Sequence, residues 1–175
     1  MARRLGMLLL VILAWAPTAG AVPILDGAPV RVELYFLDLG SLHGTADVLV
    51  GPGVEVNNLI GRSEDIDLSD TNIFFTNDFN GSNVGGAFNG YRLFDYTNSI
   101  APFLSVTINP VTNMAGFDAS RITFDGDNIY VNFQGLSFTT ETVVSLDINT
   151  VPEPATLSLM GIGLALAAGW ARRRA

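Results

Sequence analysis

The sequence predicts an all-β fold: an antiparallel, jelly-roll-like β-sandwich flanked by an N-terminal signal peptide and a single C-terminal membrane helix. Three observations lead to this prediction. Between positions 22 and 149 apolar residues recur at every second position, clusters of Gly, Asn and Asp separate these runs, and the long uncharged apolar runs lie only at the two ends. We therefore divide the chain into a signal peptide (1–21), a β domain (22–149) and a C-terminal segment (150–175).

Alternation of apolar and polar residues predicts strands that are buried on one face. The runs at 30–36, 103–108, 129–134 and 143–148 show this pattern most clearly. We see no helical periodicity longer than two turns in the β domain, and the spacing of the runs predicts eight to ten short strands. The predicted buried sets are Val30, Val32, Leu34 and Phe36; Leu104, Val106 and Ile108; Ile129, Val131 and Phe133; and Val144, Leu146 and Ile148.

Turn residues predict how neighbouring strands pair. A two-residue turn at Gly126-Asp127 would set Phe124 opposite Ile129 and Ile122 opposite Val131, all on one apolar face. A second hairpin is predicted around residues 69–72, and residues 51–53 and 80–86 are predicted loops.

Charge excludes one class of function. Residues 22–149 contain four Arg, no Lys and sixteen Asp or Glu, a formal charge of about −12. Such a surface repels nucleic acid, because phosphate binding needs clustered cations. It suits a soluble domain outside the cell, and it is compatible with weak binding of divalent cations.

Cysteine is absent from the chain, so disulfides, Cys-zinc sites and thiol nucleophiles are excluded. A domain of about 125 residues can be held together by its hydrophobic core alone.

The N-terminus has the three parts of a secretory signal peptide. Arg3 and Arg4 precede an apolar run at residues 5–16, and Ala19 and Ala21 form a small-x-small cleavage site. The run is shorter than the ~20 residues that span a bilayer core. We expect signal peptidase and the export machinery as partners and a mature chain that begins near residue 22; a retained amphipathic or spanning helix is the alternative.

The C-terminus has the features of a membrane anchor. Residues 155–171 carry no charge, and a helix of this length spans about 25 Å, near the lower limit for a bilayer core. The basic tail of Arg172, Arg173 and Arg174 should stay in the cytoplasm, which leaves the β domain outside. A buried core helix is the competing interpretation, but three terminal arginines argue against it.

The tripeptide Pro152-Glu153-Pro154 stands directly before this apolar run. Two prolines cannot lie inside a helix, so the segment should be extended and accessible to a processing enzyme. The order of tripeptide, short apolar helix and Arg cluster resembles the PEP-CTERM sorting domain of Gram-negative bacteria. The resemblance covers about the last 25 residues. It implies processing by an exosortase near the tripeptide in a host that makes exopolysaccharide, which is itself a candidate partner. The protein would be anchored in the inner membrane first and would reach the cell envelope or extracellular matrix after processing.

Candidate sites within the β domain are sparse. His43 is the only histidine, and no G-x-S-x-G motif surrounds a serine. We therefore predict that the domain is not an enzyme. A secreted hydrolase is the least favoured hypothesis. Three acidic loops offer oxygen ligands of the kind that calcium prefers, although Asp, Asn and Gly are equally what turns require. No cofactor is expected, with calcium as a minority hypothesis at Asp65, Asp67, Asp70, Asp78, Asn80, Asp125 and Asp127.

The leading hypothesis is therefore an exported, non-catalytic protein of the cell envelope or biofilm matrix. The alternative is a carbohydrate-binding or adhesive sandwich module, assisted by calcium under the minority hypothesis. Under this alternative, exposed aromatic rings would stack on sugars, although cross-strand packing accounts for such rings equally well. The candidate rings are Tyr35, Tyr91, Tyr96 and Tyr130.

Overall fold

The computed structural model describes residues 24–151 and Gly163. Residues 24–151 belong to one compact unit and contain two single-turn 3-10 helices (Leu59–Gly61 and Ala119–Arg121) but no α-helix. In the described part of the chain, no helix is long and apolar enough to cross a membrane. The strands are β1 (Pro29–Tyr35), β2 (Leu42–Leu49), β3 (Val54–Val56), β4 (Glu64–Ser69), β5 (Asn72–Asn77), β6 (Gly81–Ser82), β7 (Gly90–Phe94), β8 (Phe103–Ile108), β9 (Ile122–Phe124), β10 (Asn128–Asn132), β11 (Ser137–Phe138) and β12 (Val144–Thr150).

Ten of these strands form two five-stranded sheets, and every pairing in them is antiparallel. Sheet A has the order β2-β1-β7-β10-β9, and sheet B has the order β3-β4-β5-β12-β8. The short strands β6 and β11 pair with each other. Strand β6 lies within residues 80–86, which the sequence predicts to be a loop. The all-β prediction is confirmed.

Both sheets contribute their buried faces to a single hydrophobic core. Across it, the Phe75 ring of sheet B lies 5.9 Å from the Tyr91 ring of sheet A and 5.2 Å from the ring of Phe133, centroid to centroid. Each large apolar side chain buried in this way contributes about 1.5–3 kcal/mol to folding. One shared core therefore stabilises the two sheets together.

Three of the four predicted alternations match the burial of the strands. The inward residues of β1, of β10 and its extension to Phe133, and of β12 are buried. Phe36 is the exception in the first run: it follows the end of β1, beyond a register shift at Leu34/Tyr35, and is only half-buried.

The fourth alternation is wrong at Leu104, which is 60% exposed. Thr150 pairs with Phe103 while Asn149 pairs with Ser105, so Leu104 is the extra residue of a β-bulge. The bulge turns Phe103 toward the core and Leu104 toward solvent.

Both predicted hairpins are confirmed. Phe124 pairs with Ile129 and Ile122 with Val131, and the turn at residues 69–72 joins β4 to β5. The predicted common apolar face is only partly buried, because β9 is an edge strand. Phe124 is 42% exposed and, with Ile108, lines an open groove between β9 and β8.

Candidate functional site

The sorting residues predicted from the sequence lie outside the described residues. This applies to Pro152, Glu153 and Pro154, to the basic tail Arg172, Arg173 and Arg174, and to the cleavage residues Ala19 and Ala21. The described range 24–151 ends at the residue before the tripeptide. There the N–H of Val151 donates to the carbonyl of Pro102 at 2.9 Å, and Val151 is exposed. The predicted tripeptide therefore begins directly after a residue that is hydrogen-bonded to the segment preceding β8.

His43 lies on the edge strand β2 and is exposed. Its ring centroid is 5.8 Å from that of Phe36. Within residues 24–151 it makes no hydrogen bond to a serine or aspartate side chain, so the structure assembles no Ser-His-Asp triad around it.

Several of the calcium candidates bind neighbouring protein groups. The Asp125 carboxylate accepts hydrogen bonds from the backbone N–H groups of Asp127 and Asn128, both at 2.9 Å, which lowers its pKa. Asp70 accepts from the backbone N–H of Ile24, and Asn80 accepts from that of Thr140. These are contacts of turn and loop residues.

Asp65 and Asp78 are the two candidates that the structure brings together. Asn58 donates to both carboxylates, through its backbone N–H and its side-chain amide respectively. Burial and the charge of Asp78 raise the pKa of Asp65, and burial and the charge of Glu55 raise that of Asp67. Among the described residues, no group of three or more His, Asp or Glu side chains is placed to hold a metal ion.

Tyr91 was expected among the exposed aromatic rings, and this expectation is wrong. Alternation along β7 puts it on the same face as Leu93, and it is fully buried in the core. Its hydroxyl donates to the Glu64 carboxylate at 3.2 Å, and Arg62 pairs with that carboxylate at 3.1 Å. Burial, followed by the charge of Glu64, raises the pKa of Tyr91 well above its ordinary value.

The other three tyrosines lie on or beside the outer face of sheet A, together with residues that the sequence did not single out. We call this surface the aromatic–arginine face. Strands β1, β7 and β10 are adjacent, and their register sets Glu33 opposite Arg92 and Arg92 opposite Tyr130. The face consists of Arg31, Glu33, Tyr35, Asp47, Phe88, Arg92, Phe94, Tyr96 and Tyr130.

Arg92 organises the centre of this face. Its guanidinium binds Glu33 at 3.0 Å and the side-chain oxygen of Asn128 at 2.7 and 2.9 Å. It also lies 3.9 Å from the Phe94 ring centroid, within cation–π distance. The Tyr35 hydroxyl donates to Glu33 at 2.8 Å, and burial, then this hydrogen bond, raises the pKa of Tyr35.

Arg31 organises one end of the face. It binds Asp47 with two hydrogen bonds, of 2.5 and 2.8 Å, which lower the pKa of Asp47. Its guanidinium carbon lies 4.7 Å from the Tyr96 ring centroid. At the opposite end, the Phe88 ring makes edge contacts with Tyr35 and Tyr130, at 6.3 and 6.4 Å between centroids.

Comparison with known proteins bears on the C-terminal segment. Residues 150–175 match the model of the PEP-CTERM protein-sorting motif. Searches of curated proteins and of solved structures gave no significant match. The motif implies processing by an exosortase, and proteins that carry it are exported and associated with the membrane or cell surface. The chain thus carries a match to the PEP-CTERM sorting motif at residues 150–175, directly behind a β-rich domain.

Proposed function

We propose that this protein is a Gram-negative cell-envelope or biofilm-matrix protein whose β domain is non-catalytic and is delivered by C-terminal processing. The match of residues 150–175 to the sorting motif carries the proposal. In this mechanism the signal peptide directs export, and helix 155–171 holds the chain in the inner membrane with Arg172–Arg174 in the cytoplasm. Exosortase then cleaves near the tripeptide and frees the domain.

The end of the β domain supports this mechanism. Strand β12 ends at Thr150, and Val151 is exposed and bonded to Pro102. Two prolines in the next three positions oppose both helix and strand continuation. Cleavage there would leave every strand of both sheets in the released product.

The finer description of the fold is part of the same proposal. We take the two sheets as the layers of an antiparallel sandwich, because both line one core. The chain changes sheet after β2, β5, β7, β8 and β10, whereas β1–β2, β3–β4–β5 and β9–β10 follow one another within a sheet. The connections between the two sheets favour a jelly-roll-like topology. The hairpins within each sheet depart from that topology.

The experiment replaces Pro152-Glu153-Pro154 with three alanines in the native host. Three alanines favour a helix that continues outward from residue 155, so the extended substrate for the protease is lost. We expect export to be unchanged and full-length protein to accumulate in the membrane fraction, measured by blotting membrane and medium fractions.

Pro110→Ala is the matched control, since Pro110 is an exposed loop proline of the β domain. It should be processed like the wild type. Changing Arg172, Arg173 and Arg174 to Ser should instead loosen the orientation and retention of the helix while the tripeptide stays intact. Equal processing of wild type and the alanine variant would mean that the tripeptide is an ordinary linker.

A further inference from the structure

We propose that the aromatic–arginine face of sheet A binds neutral polysaccharide. The inference deepens the proposed function, because it needs the domain to be presented outside the cell, and it names the class of ligand that the domain would hold there. Four independent properties of the face lead to it: shape, rigidity, charge and chemistry.

The shape suits an extended polymer. The face lies across three adjacent strands, β1, β7 and β10, on the side opposite the core. From Arg31 to Tyr35 it extends along β1 by about 13 Å, at about 3.3 Å per residue, and three strands are about 10 Å across. A surface of these dimensions can hold several residues of an extended chain.

The side chains of the face are held in place before any ligand arrives. Arg92 is bonded to Glu33 and Asn128 and stacked on Phe94, while Arg31 is bonded twice to Asp47 and stacked on Tyr96. Rigid tyrosine and arginine side chains lose little conformational entropy on binding. Such preorganisation would lower the entropic cost of binding a ligand.

The charge of the face differs from that of the domain. The domain carries about −12, yet the face contains two of its four arginines, each paired with one acidic residue, Asp47 or Glu33. The face is therefore close to neutral within an acidic surface. An anionic polymer would be repelled by the surrounding carboxylates, whereas a neutral polymer meets no such repulsion.

The chemistry of the face matches that of a sugar. Hydroxyl groups both donate and accept hydrogen bonds, and the paired guanidinium and carboxylate groups offer both partners side by side. The C–H side of a sugar ring is apolar and can stack on an aromatic ring. Tyr96 provides that ring: it is 40% exposed although Arg31 already lies over it.

The experiment uses the full chain purified in detergent and measures its retardation in native gels that contain a polysaccharide. The neutral probes are dextran, galactomannan, xyloglucan and mannan, and alginate is the anionic probe. We expect retardation by at least one neutral probe and none by alginate. Tyr96→Ala should weaken the binding about tenfold, the usual effect of truncating a central aromatic contact, and Tyr96→Phe should retain it.

Phe124→Ala is the matched control, because Phe124 is 42% exposed and also belongs to sheet A but lines the groove beside β8. It should leave retardation unchanged. Retardation by no neutral probe, by alginate alone, or equally by wild type and Tyr96→Ala would overturn the proposal. None of these outcomes depends on processing, so the tripeptide experiment tests the sorting mechanism separately.

Discussion

At the scale of single residues, one tyrosine shows how a buried polar group depends on its partners. Tyr91 lies among apolar side chains, and its hydroxyl is satisfied by Glu64, whose carboxylate is paired with Arg62. A buried hydroxyl without a partner would cost about 1–3 kcal/mol, and a buried carboxylate without a partner would cost more. The three side chains therefore stabilise the core only as a group.

This arrangement predicts a loss of stability at alkaline pH. The pKa of Tyr91 is raised in the folded state, so above its ordinary value of about 10 the unfolded chain ionises while the folded chain does not. The folded state then holds more protons, and the free energy of unfolding falls by up to about 1.4 kcal/mol per pH unit for this group. Because the chain contains no lysine, tyrosines are the principal side chains that titrate there.

Tyr91→Phe should reduce the fall of the free energy of unfolding with rising pH. It should also lower the free energy of unfolding near neutral pH by about 1–2 kcal/mol, since Glu64 loses a hydrogen-bond donor. Urea unfolding at about pH 7 and about pH 11 measures both effects. Tyr96→Phe, at an exposed position, serves as the control; identical slopes for the two variants would contradict this account.

At the scale of strands, local chemistry could be predicted and long-range pairing could not. The register of β9 with β10 followed from the two residues Gly126 and Asp127, because a tight turn fixes which residues face each other. The bulge at Leu104 depends on how β8 meets β12, about forty residues along the chain, and alternation within β8 contains no sign of it.

The aromatic–arginine face likewise depends on long-range strand pairing, which could not be predicted from the sequence. Alternation places Tyr35 and Tyr130 on the polar sides of their strands, but only the pairing of β1 with β7 and of β7 with β10 brings them together around Arg92. Tyr91 was misassigned because its polar hydroxyl and aromatic ring suit either side of a strand. The sorting motif could be found from the sequence because its parts are contiguous.

Gly90 provides a test at this scale. It opens the central strand β7, and a Cβ atom built on it would lie 2.0 Å from the carbonyl oxygen of Val131 on β10. That oxygen belongs to the backbone, so Gly90→Ala must displace β7 from β10 and should cost about 3 kcal/mol in the free energy of unfolding.

Gly51→Ala is the matched control for this substitution, since its nearest neighbour would be 4.0 Å away. Its effect should stay within about 1 kcal/mol. Urea unfolding of both variants measures the difference, and equal stabilities would show that β7 and β10 are not in close contact at this point.

At the scale of the whole molecule, strand β12 is both a part of the core and the strand next to the sorting motif. Strand β12 lies between β5 and β8 in sheet B and is the last strand before the sorting motif. It supplies Val144, Leu146 and Ile148 to the core. Processing that is to release a folded domain must therefore act beyond β12.

This position predicts that residues 22–151 fold without the rest of the chain and that residues 22–143 do not. The longer product keeps every strand and the bond from Val151 to Pro102. The shorter one leaves β8 without a partner strand and β5 paired with β4 alone. It also loses three buried apolar side chains, each worth about 1.5–3 kcal/mol, which is comparable in sum to the whole stability of a domain.

Far-ultraviolet circular dichroism and urea unfolding test this directly. Residues 22–151 should give a β-type spectrum and one cooperative transition, and residues 22–143 should give neither. A helix-dominated spectrum for the longer product would rule out the two-sheet fold in solution. Cooperative unfolding of the shorter product would show that β12 is dispensable, and cleavage before residue 151 would then be compatible with a folded domain.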